Sequence, residues 1–134
     1  MNSQNKMLQP PGWPSPRGYS NGIAARGRLV FVSGMVGWDS AGQFQTDDFV
    51  AQTRQALQNI VFVLTEASAE PRHIVRMIWY VVDKKEYLKA LKEIGAAYRE
   101  IMGSHYPVMT AVEVSALIED RARVEIEVTA VVPD

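Results

Sequence analysis

Residues 122–132 read ARVEIEVTAVV, a run in which apolar and polar side chains alternate. Val124, Ile126 and Val128 fall on one side of an extended chain, whereas Glu125 and Glu127 fall on the other. This period of two predicts a β-strand, because a helix repeats its apolar residues every three to four positions. We therefore expect the apolar set to pack under helices and the glutamates to point to the opposite side of a sheet.

Working outward, four more segments are rich in the β-branched and aromatic residues that favour strands. Strands are expected at residues 22–25, 29–34, 74–82 and 108–116, in addition to 122–132. The first two are separated by only a short glycine-containing stretch, and this spacing predicts a β-hairpin.

Two segments repeat their apolar residues at helical spacing. The first begins at residues 46–48, with Thr46 as the expected N-cap, and its stripe continues to Leu64. The second follows Asp83, which has capping-box spacing to Glu86, and is expected to end at Gly103.

The element order is thus β-β-α-β-α-β-β, an α+β fold with two helices on one face of the sheet. Within residues 108–116, we expect Met109, Ala111, Glu113 and Ser115 to share the helix-free face with the glutamates. The earlier strands are apolar on both faces, so a monomer would leave a large apolar surface in water. This pattern predicts a homo-oligomer, with the carboxylates at the edge of the interface or in a cleft.

Four of the seven prolines lie in residues 1–16, which predicts an extended or mobile proline-rich arm. Residues 17–134 contain no other linker, repeat or low-complexity tract, so we expect one domain there.

Composition excludes several classes of function. The 134 residues include no cysteine and two histidines, so disulfide, thiolate and cysteine-zinc chemistry are absent, and no metal site is expected. His73 and His105 lie at element boundaries and are interpreted as solvated loop histidines.

A net charge of −1 argues against nucleic-acid binding. No apolar run approaches the ~20 residues of a membrane span, and no signal pattern opens the chain, so a cytoplasmic protein is expected.

Four motifs occur in a specific order along most of the chain, between residues 19 and 132. They are GRLVFVSG at 27–34, QTRQALQNI at 52–60, PVMTAVEV at 107–114 and VEIEV at 124–128. Together they resemble the reactive-intermediate-deaminase superfamily, called Rid or YjgF-type, which also carries the label L-PSP endoribonuclease. The resemblance implies a chorismate-mutase-like fold and a homotrimer with an inner barrel and clefts between subunits. It also implies hydrolysis of enamines and imines to ketoacids and ammonia without a metal or organic cofactor.

The chain departs from this family at positions that bind substrate. Active members carry an arginine two residues after the proline, where it holds the substrate carboxylate; this chain has Met109. A common glutamine is Met35 here, and a common asparagine in the second helix is Gly95. The family tyrosine is kept as Tyr19, and the glutamate assigned to water activation aligns with Glu125.

The site residues implied by the resemblance are one catalytic group, Glu125, and five binding residues: Tyr19, Ser33, Met35, Met109 and Thr110. Each also has a purely structural interpretation. Glu125 is then a solvated strand glutamate and Met109 is interface packing. Glu113 and Glu127 either form a like-charge cluster with Glu125 or pair with arginines, for which Arg76, Arg121 and Arg123 are candidates. Met35, Met77, Trp38 and Trp79 are candidates to enlarge an apolar pocket, although a strand tryptophan such as Trp79 more often belongs to the core.

Three functional hypotheses remain open. The first is a Rid-like homotrimer that binds a small molecule between subunits and hydrolyses a non-standard enamine or imine, with weak or absent activity on standard 2-imino acids. The second is a non-catalytic sensor or partner-binding module on the same trimer. The third, disfavoured by the charge, is the endoribonuclease of the family label.

Overall fold

The computed structural model describes residues 5–134 and contains six strands and three α-helices in that range. The strands are β1 (Lys6–Leu8), β2 (Gly22–Ala24), β3 (Arg28–Val36), β4 (Ile74–Val81), β5 (Val108–Glu113) and β6 (Val124–Val132). The helices are α1 (Phe49–Glu66), α2 (Lys84–Lys89) and α3 (Leu91–Met102), with a 3-10 turn at Pro71–His73.

Four strands form a mixed sheet in the order β3-β6-β4-β5. β6 pairs antiparallel with both β3 and β4, whereas β5 joins β4 in parallel. β3 and β5 are therefore the two edges. The expected α+β architecture is confirmed.

The predicted hairpin between residues 22–25 and 29–34 is wrong. β2 pairs antiparallel with β1, which comes from the proline-rich arm, and β3 pairs with the last strand of the chain. Residues 6–8 of the expected arm are thus held in a short two-stranded sheet. Local spacing favours a hairpin, but distant partners complete both strands instead.

The helices begin and end at polar or glycine caps. Asp48, rather than the expected Thr46, is the N-cap of α1 and accepts a hydrogen bond from the backbone of Ala51 at 2.9 Å. Asp83 caps α2, as predicted, and Gly103 ends α3 with φ of 82°. The predicted second helix is interrupted at Ala90, so it forms two helices, α2 and α3.

The core lies between the helices and one face of the sheet. Val124, Ile126 and Val128 are buried there against β4 and α1, as the alternation in β6 predicted. The opposite face carries no helix. On that face Phe31 of β3 is 71% exposed and Leu29 is 58% exposed, which confirms the expected uncovered apolar surface.

The expected orientation of β5 is wrong. β5 pairs in register with β4, so that Met109 lies beside Met77 and Ala111 beside Trp79. Laterally paired residues point to the same side of a sheet, and Met77 and Trp79 are buried in the core. Met109, Ala111 and Glu113 therefore share the helix face.

Two buried or half-buried amides hold the loops around the central strands. The Gln52 side chain donates hydrogen bonds to the carbonyls of Thr46 and Arg121 and accepts one from the backbone of Arg123. Asn59 donates to the carbonyls of Val36, the last residue of β3, and Trp38, two residues beyond it. Both amides lie on α1, so this helix fixes the ends of β3 and β6. Over residues 5–134, no helix is both long and apolar enough to cross a bilayer.

Candidate functional site

The six residues predicted for the site do not come together in one place. Tyr19 and Met109 line one cavity on the helix face, at the β5 edge. Met35 lines a separate cavity at the β3 edge. Glu125 and Thr110 lie on the helix-free face, and Ser33 lies in an irregular part of β3.

The cavity at the β5 edge, which we call the aromatic cavity, has a volume of about 390 Å³. It lies between β4, β5, the two short helices and the segment before β2. Its lining residues are Arg17, Gly18, Tyr19, Trp79, Tyr87, Leu91, Ile94, Gly95, Tyr98, Arg99, Tyr106 and Met109.

Ring-to-ring packing shapes the walls of the aromatic cavity. Trp79 meets Tyr87 edge to face, with the centroids 6.3 Å apart, and Tyr98 stacks on Tyr106 at 5.4 Å. The Tyr98 hydroxyl donates to the carbonyl of His105 at 2.6 Å, which fixes that ring. Burial raises the pKa of Tyr98, so its hydroxyl stays protonated at neutral pH. These rings form a neutral, largely apolar wall that suits a planar ligand.

The cavity around Met35 is more open and has a volume of about 500 Å³. Trp38 and Phe62 also line it, so Trp38 and Met35 do not enlarge the aromatic cavity as one sequence interpretation suggested. Of the other two residues in that interpretation, Met77 is fully buried in the core, whereas Trp79 does line the aromatic cavity.

Glu125 lies beside a β-bulge in β3. The register shifts between Val32 and Met35, so Ser33 and Gly34 together face one residue of β6. Gly34 leaves space that the Glu125 carboxylate fills: a Cβ at Gly34 would lie 2.7 Å from Glu125 Cδ. The bulge therefore leaves a space above Gly34, which we call the seat, and the side chain of Glu125, the predicted catalytic group, fills it.

The predicted cluster of three glutamates does not form within the chain. Glu113 lies on the helix face, where its carboxylate accepts a hydrogen bond from the backbone of Lys84 at 2.8 Å. Glu127 stays on the face of Glu125 and accepts a hydrogen bond from the Tyr80 hydroxyl. That bond raises the pKa of Tyr80.

Two of the three arginines predicted as partners of these glutamates form ion pairs elsewhere. Arg123 pairs with Glu86 at 2.8 Å, and Arg121 pairs with Asp47 at 3.0 Å. The ion pair with Glu86 raises the pKa of Arg123 and joins the start of β6 to α2.

The interpretation of His73 as a solvated loop residue is wrong. Its side chain is 3% exposed, and Nδ1 accepts a hydrogen bond from the backbone of Glu70 at 2.9 Å. Burial, with a smaller effect of the neighbouring Arg72, lowers the pKa of His73. His105 lies 2.6 Å from the carbonyl of Ile74 and is also part of the scaffold. Among residues 5–134, no three His, Asp or Glu side chains stand close enough together to hold a metal ion.

Sequence reasoning missed Arg99, Tyr87 and Tyr106 as cavity residues. Tyr106 immediately precedes the motif at 107–114, and Arg99 follows Gly95 by one helical turn. Residues four apart share a face of a helix, so this spacing was a usable signal for Arg99. The position of Tyr87 depends on the break at Ala90, which the sequence pattern did not indicate.

Comparison with known proteins gives one consistent family. Residues 13–132 match the family described as Endoribonuclease L-PSP. A RutC family protein of Pyrococcus horikoshii is 34% identical over 119 residues, which cover 87% of this chain and 90% of that protein. The human 2-iminobutanoate/2-iminopropanoate deaminase is 27% identical over 105 residues, which cover 78% of this chain and 73% of that protein.

Solved structures agree with this result. A protein of unknown function from the conserved Rid family of Yersinia pestis superimposes with a TM-score of 0.85 at 28% identity, covering 96% of this chain and 99% of that one. A member of the YjgF/YER057c/UK114 family from Mycobacterium tuberculosis is 37% identical with a TM-score of 0.64, covering 86% and 87%.

Proposed function

The chain belongs to the Rid, or YjgF-type, superfamily, and from that premise we propose that it is a homotrimer that hydrolyses a non-standard enamine or imine in clefts between its subunits. The carrying observation is the aromatic cavity, in which Met109 occupies the position where the resemblance implies an arginine. The reaction adds water to the carbon–nitrogen bond and releases a carbonyl compound and ammonia.

Two features support an assembly that brings several copies together. Phe31 and Leu29 expose a large apolar surface on the helix-free face, and burial of such surface is the main force in association. Met109 and Glu125 point to opposite faces of one sheet, so a cleft that uses both needs a second copy. With β3 and β5 at the two edges, the β5 edge of one subunit can meet the β3 edge of the next.

The proposed role of Glu125 is to orient the attacking water and accept its proton. A carboxylate can do this when it lies within hydrogen-bond reach of the water and is held in place. The seat above Gly34 supports this role, because it limits where the carboxylate can go. The proton then passes to the leaving nitrogen, which departs as ammonia.

Met109 determines the proposed substrate range. Its side chain has no charge and donates no hydrogen bond, so it cannot hold a carboxylate as an arginine does. The rings of Tyr87, Tyr98 and Tyr106 instead favour a substrate with an apolar or aromatic body. We therefore expect weak turnover of small 2-imino acids and faster turnover of aromatic ones.

The experiment generates imines in situ from alanine or phenylalanine with an amino-acid oxidase and follows ketoacid release above the uncatalysed rate. We expect acceleration with the phenylalanine-derived imine and little with the alanine-derived one. Glu125→Gln should abolish the acceleration and leave the trimer intact, as measured by light scattering. Glu113→Gln, the matched control on the helix face, should keep most of it.

Strong acceleration with the alanine-derived imine, or full activity of Glu125→Gln, would contradict the proposal. A chain that is thermally stabilised by ligand but accelerates neither imine would be a non-catalytic binding module instead.

A further inference from the structure

Two guanidinium groups lie at the mouth of the aromatic cavity. Arg17 and Arg99 both line the cavity, and both are exposed at its outer end. In the part of the chain that the structure describes, neither forms one of the ion pairs, which join other arginines to Glu70, Asp47, Glu86 and Glu100. Both charges are therefore available to a ligand in this cavity.

Arg99 lies over a glycine one turn earlier in α3. The guanidinium lies over Gly95, and a Cβ on Gly95 would stand 3.3 Å from Arg99 Nη1. Gly95 has no side chain, so the flexible end of Arg99 has room to lie close to the helix at this point. Gly95 also lines the cavity, which places the charged end of Arg99 on the cavity side of the helix.

One residue of the cavity wall, Trp79, has an unused hydrogen-bond donor. Trp79 is 2% exposed and lines the cavity, and its Nε1 has no hydrogen-bond partner within the described residues. Leaving a buried donor without an acceptor is unfavourable, so such a group is a candidate to bind a ligand or a water molecule. The cavity thus has aromatic walls, a free hydrogen-bond donor on Trp79, and the exposed guanidinium groups of Arg17 and Arg99 at its mouth.

We propose that Arg99, assisted by Arg17, is the anion anchor of this chain, and that the cavity takes an aromatic acid with a hydrogen-bond acceptor on its far side. This inference rests on the proposed function and specifies the substrate class. The carboxylate binds at the mouth, the ring lies among the tyrosines, and a distal oxygen accepts from Trp79. The positive charge has thereby moved from β5, where Met109 stands, to α3.

The test measures binding rather than turnover, so its result is independent of whether the chain is an active hydrolase. Isothermal titration compares 4-hydroxyphenylpyruvate with its neutral analogue 4-hydroxyphenylacetone, which replaces the carboxylate with a methyl group. We expect the acid to bind about tenfold or more tightly than the ketone, which corresponds to one charge-assisted hydrogen bond.

Arg99→Gln should remove most of this preference while leaving the affinity for the ketone nearly unchanged. Arg72→Gln makes the same change in net charge at an arginine that does not line the cavity, and it should keep the preference. A general electrostatic effect would instead weaken acid binding equally in both variants.

Equal binding of the two ligands to the native chain would overturn the proposal, and so would an unchanged preference in Arg99→Gln. Trp79→Phe, which keeps the ring and removes the donor, should weaken 4-hydroxyphenylpyruvate more than phenylpyruvate. If Trp79→Phe weakens the binding of both acids equally, the proposed hydrogen bond from Trp79 to the distal oxygen of the ligand is wrong. Absence of imine turnover together with these binding results would reject the proposed reaction and keep the anchor.

Discussion

Replacing Gly34 with alanine tests whether the bulge of β3 positions Glu125. An ideal Cβ at Gly34 would stand 2.7 Å from Glu125 Cδ and 2.9 Å from Cγ, whereas ordinary contact begins at 3.4 Å. Gly34 does not have a positive φ, so alanine fits the backbone without strain. The carboxylate is the flexible partner in this contact, and it must move to relieve it.

The size of the effect follows from that displacement. Glu125 Cδ has to retreat from 2.7 Å to at least 3.4 Å, and the carboxylate oxygens at the end of the side chain move further. A misplacement near 1 Å in a catalytic group can lower the rate on the order of 10²-fold. The fold should hardly change, because the side chain rather than the backbone gives way. We expect Gly34→Ala to lower kcat for the phenylalanine-derived imine by on the order of 10²-fold, with a change in unfolding free energy of less than about 1 kcal/mol.

A second background separates positioning from a general disturbance of β3. Glu125→Ala removes both the Cγ and the Cδ atoms that a Cβ at residue 34 would meet. In the Glu125→Ala background, Gly34→Ala should therefore leave the residual rate unchanged, as a coupled pair requires. If Gly34→Ala lowers kcat equally in both backgrounds, or leaves the native rate unchanged, then Gly34 does not act through Glu125.

Three further predictions concern other parts of the chain. Met109→Arg should restore the carboxylate clamp and raise kcat/KM for the alanine-derived imine by about tenfold or more in the ketoacid assay; no gain would place the substrate carboxylate elsewhere. Gly37→Ala should lower the urea unfolding free energy by about 1–3 kcal/mol, because its Cβ would lie 2.6 Å from the Gln52 backbone, whereas an unchanged midpoint would contradict that contact. The pKa of His73 lies below its ordinary value of 6.5, so the unfolded chain takes up a proton more readily and stability should fall as the pH drops below about 6.5. Thermal melts of His73→Asn, which keeps an acceptor without titrating, should lack that part of the decline.

The sequence predicted the parts of the fold in which one periodicity is unambiguous. In β6, apolar residues and carboxylates alternate strictly, and the burial follows this alternation. The stripe of α1 and the caps at Asp83 and Gly103 are equally local signals. These features depend only on neighbours within a few residues, so composition and spacing are sufficient to find them.

The orientation of β5 could not be read in the same way. Val108 and Val112 fall on one side of the strand and Met109 and Ala111 on the other. Because both sides are apolar, the alternation does not indicate which side faces the helices. The parallel register with β4 decides the orientation instead, and that register is a long-range property. The same limitation explains the wrong hairpin at β2. This strand pairs with β1 in the arm, so that Ala24 lies opposite Lys6, eighteen positions earlier, and Gly22 lies opposite Leu8, fourteen positions earlier.

The predicted site residues are divided between the two faces of the sheet, and this division determines which properties of the site a substitution can change. Within one subunit, Tyr19, Met109 and Arg99 belong to a cavity that packs against α3, whereas Glu125 depends on the bulge of β3 on the other face. Changes in the cavity therefore alter ligand recognition without moving the carboxylate that is proposed to activate water. An arginine can be lost from β5 and a guanidinium gained on α3 while the seat above Gly34 stays the same. In the proposed trimer the two halves meet between copies, so the interface rather than the single chain would set the distance between ligand and carboxylate. Substrate range and water activation could then change separately, provided that the proposed packing of Phe31 and its neighbours is kept.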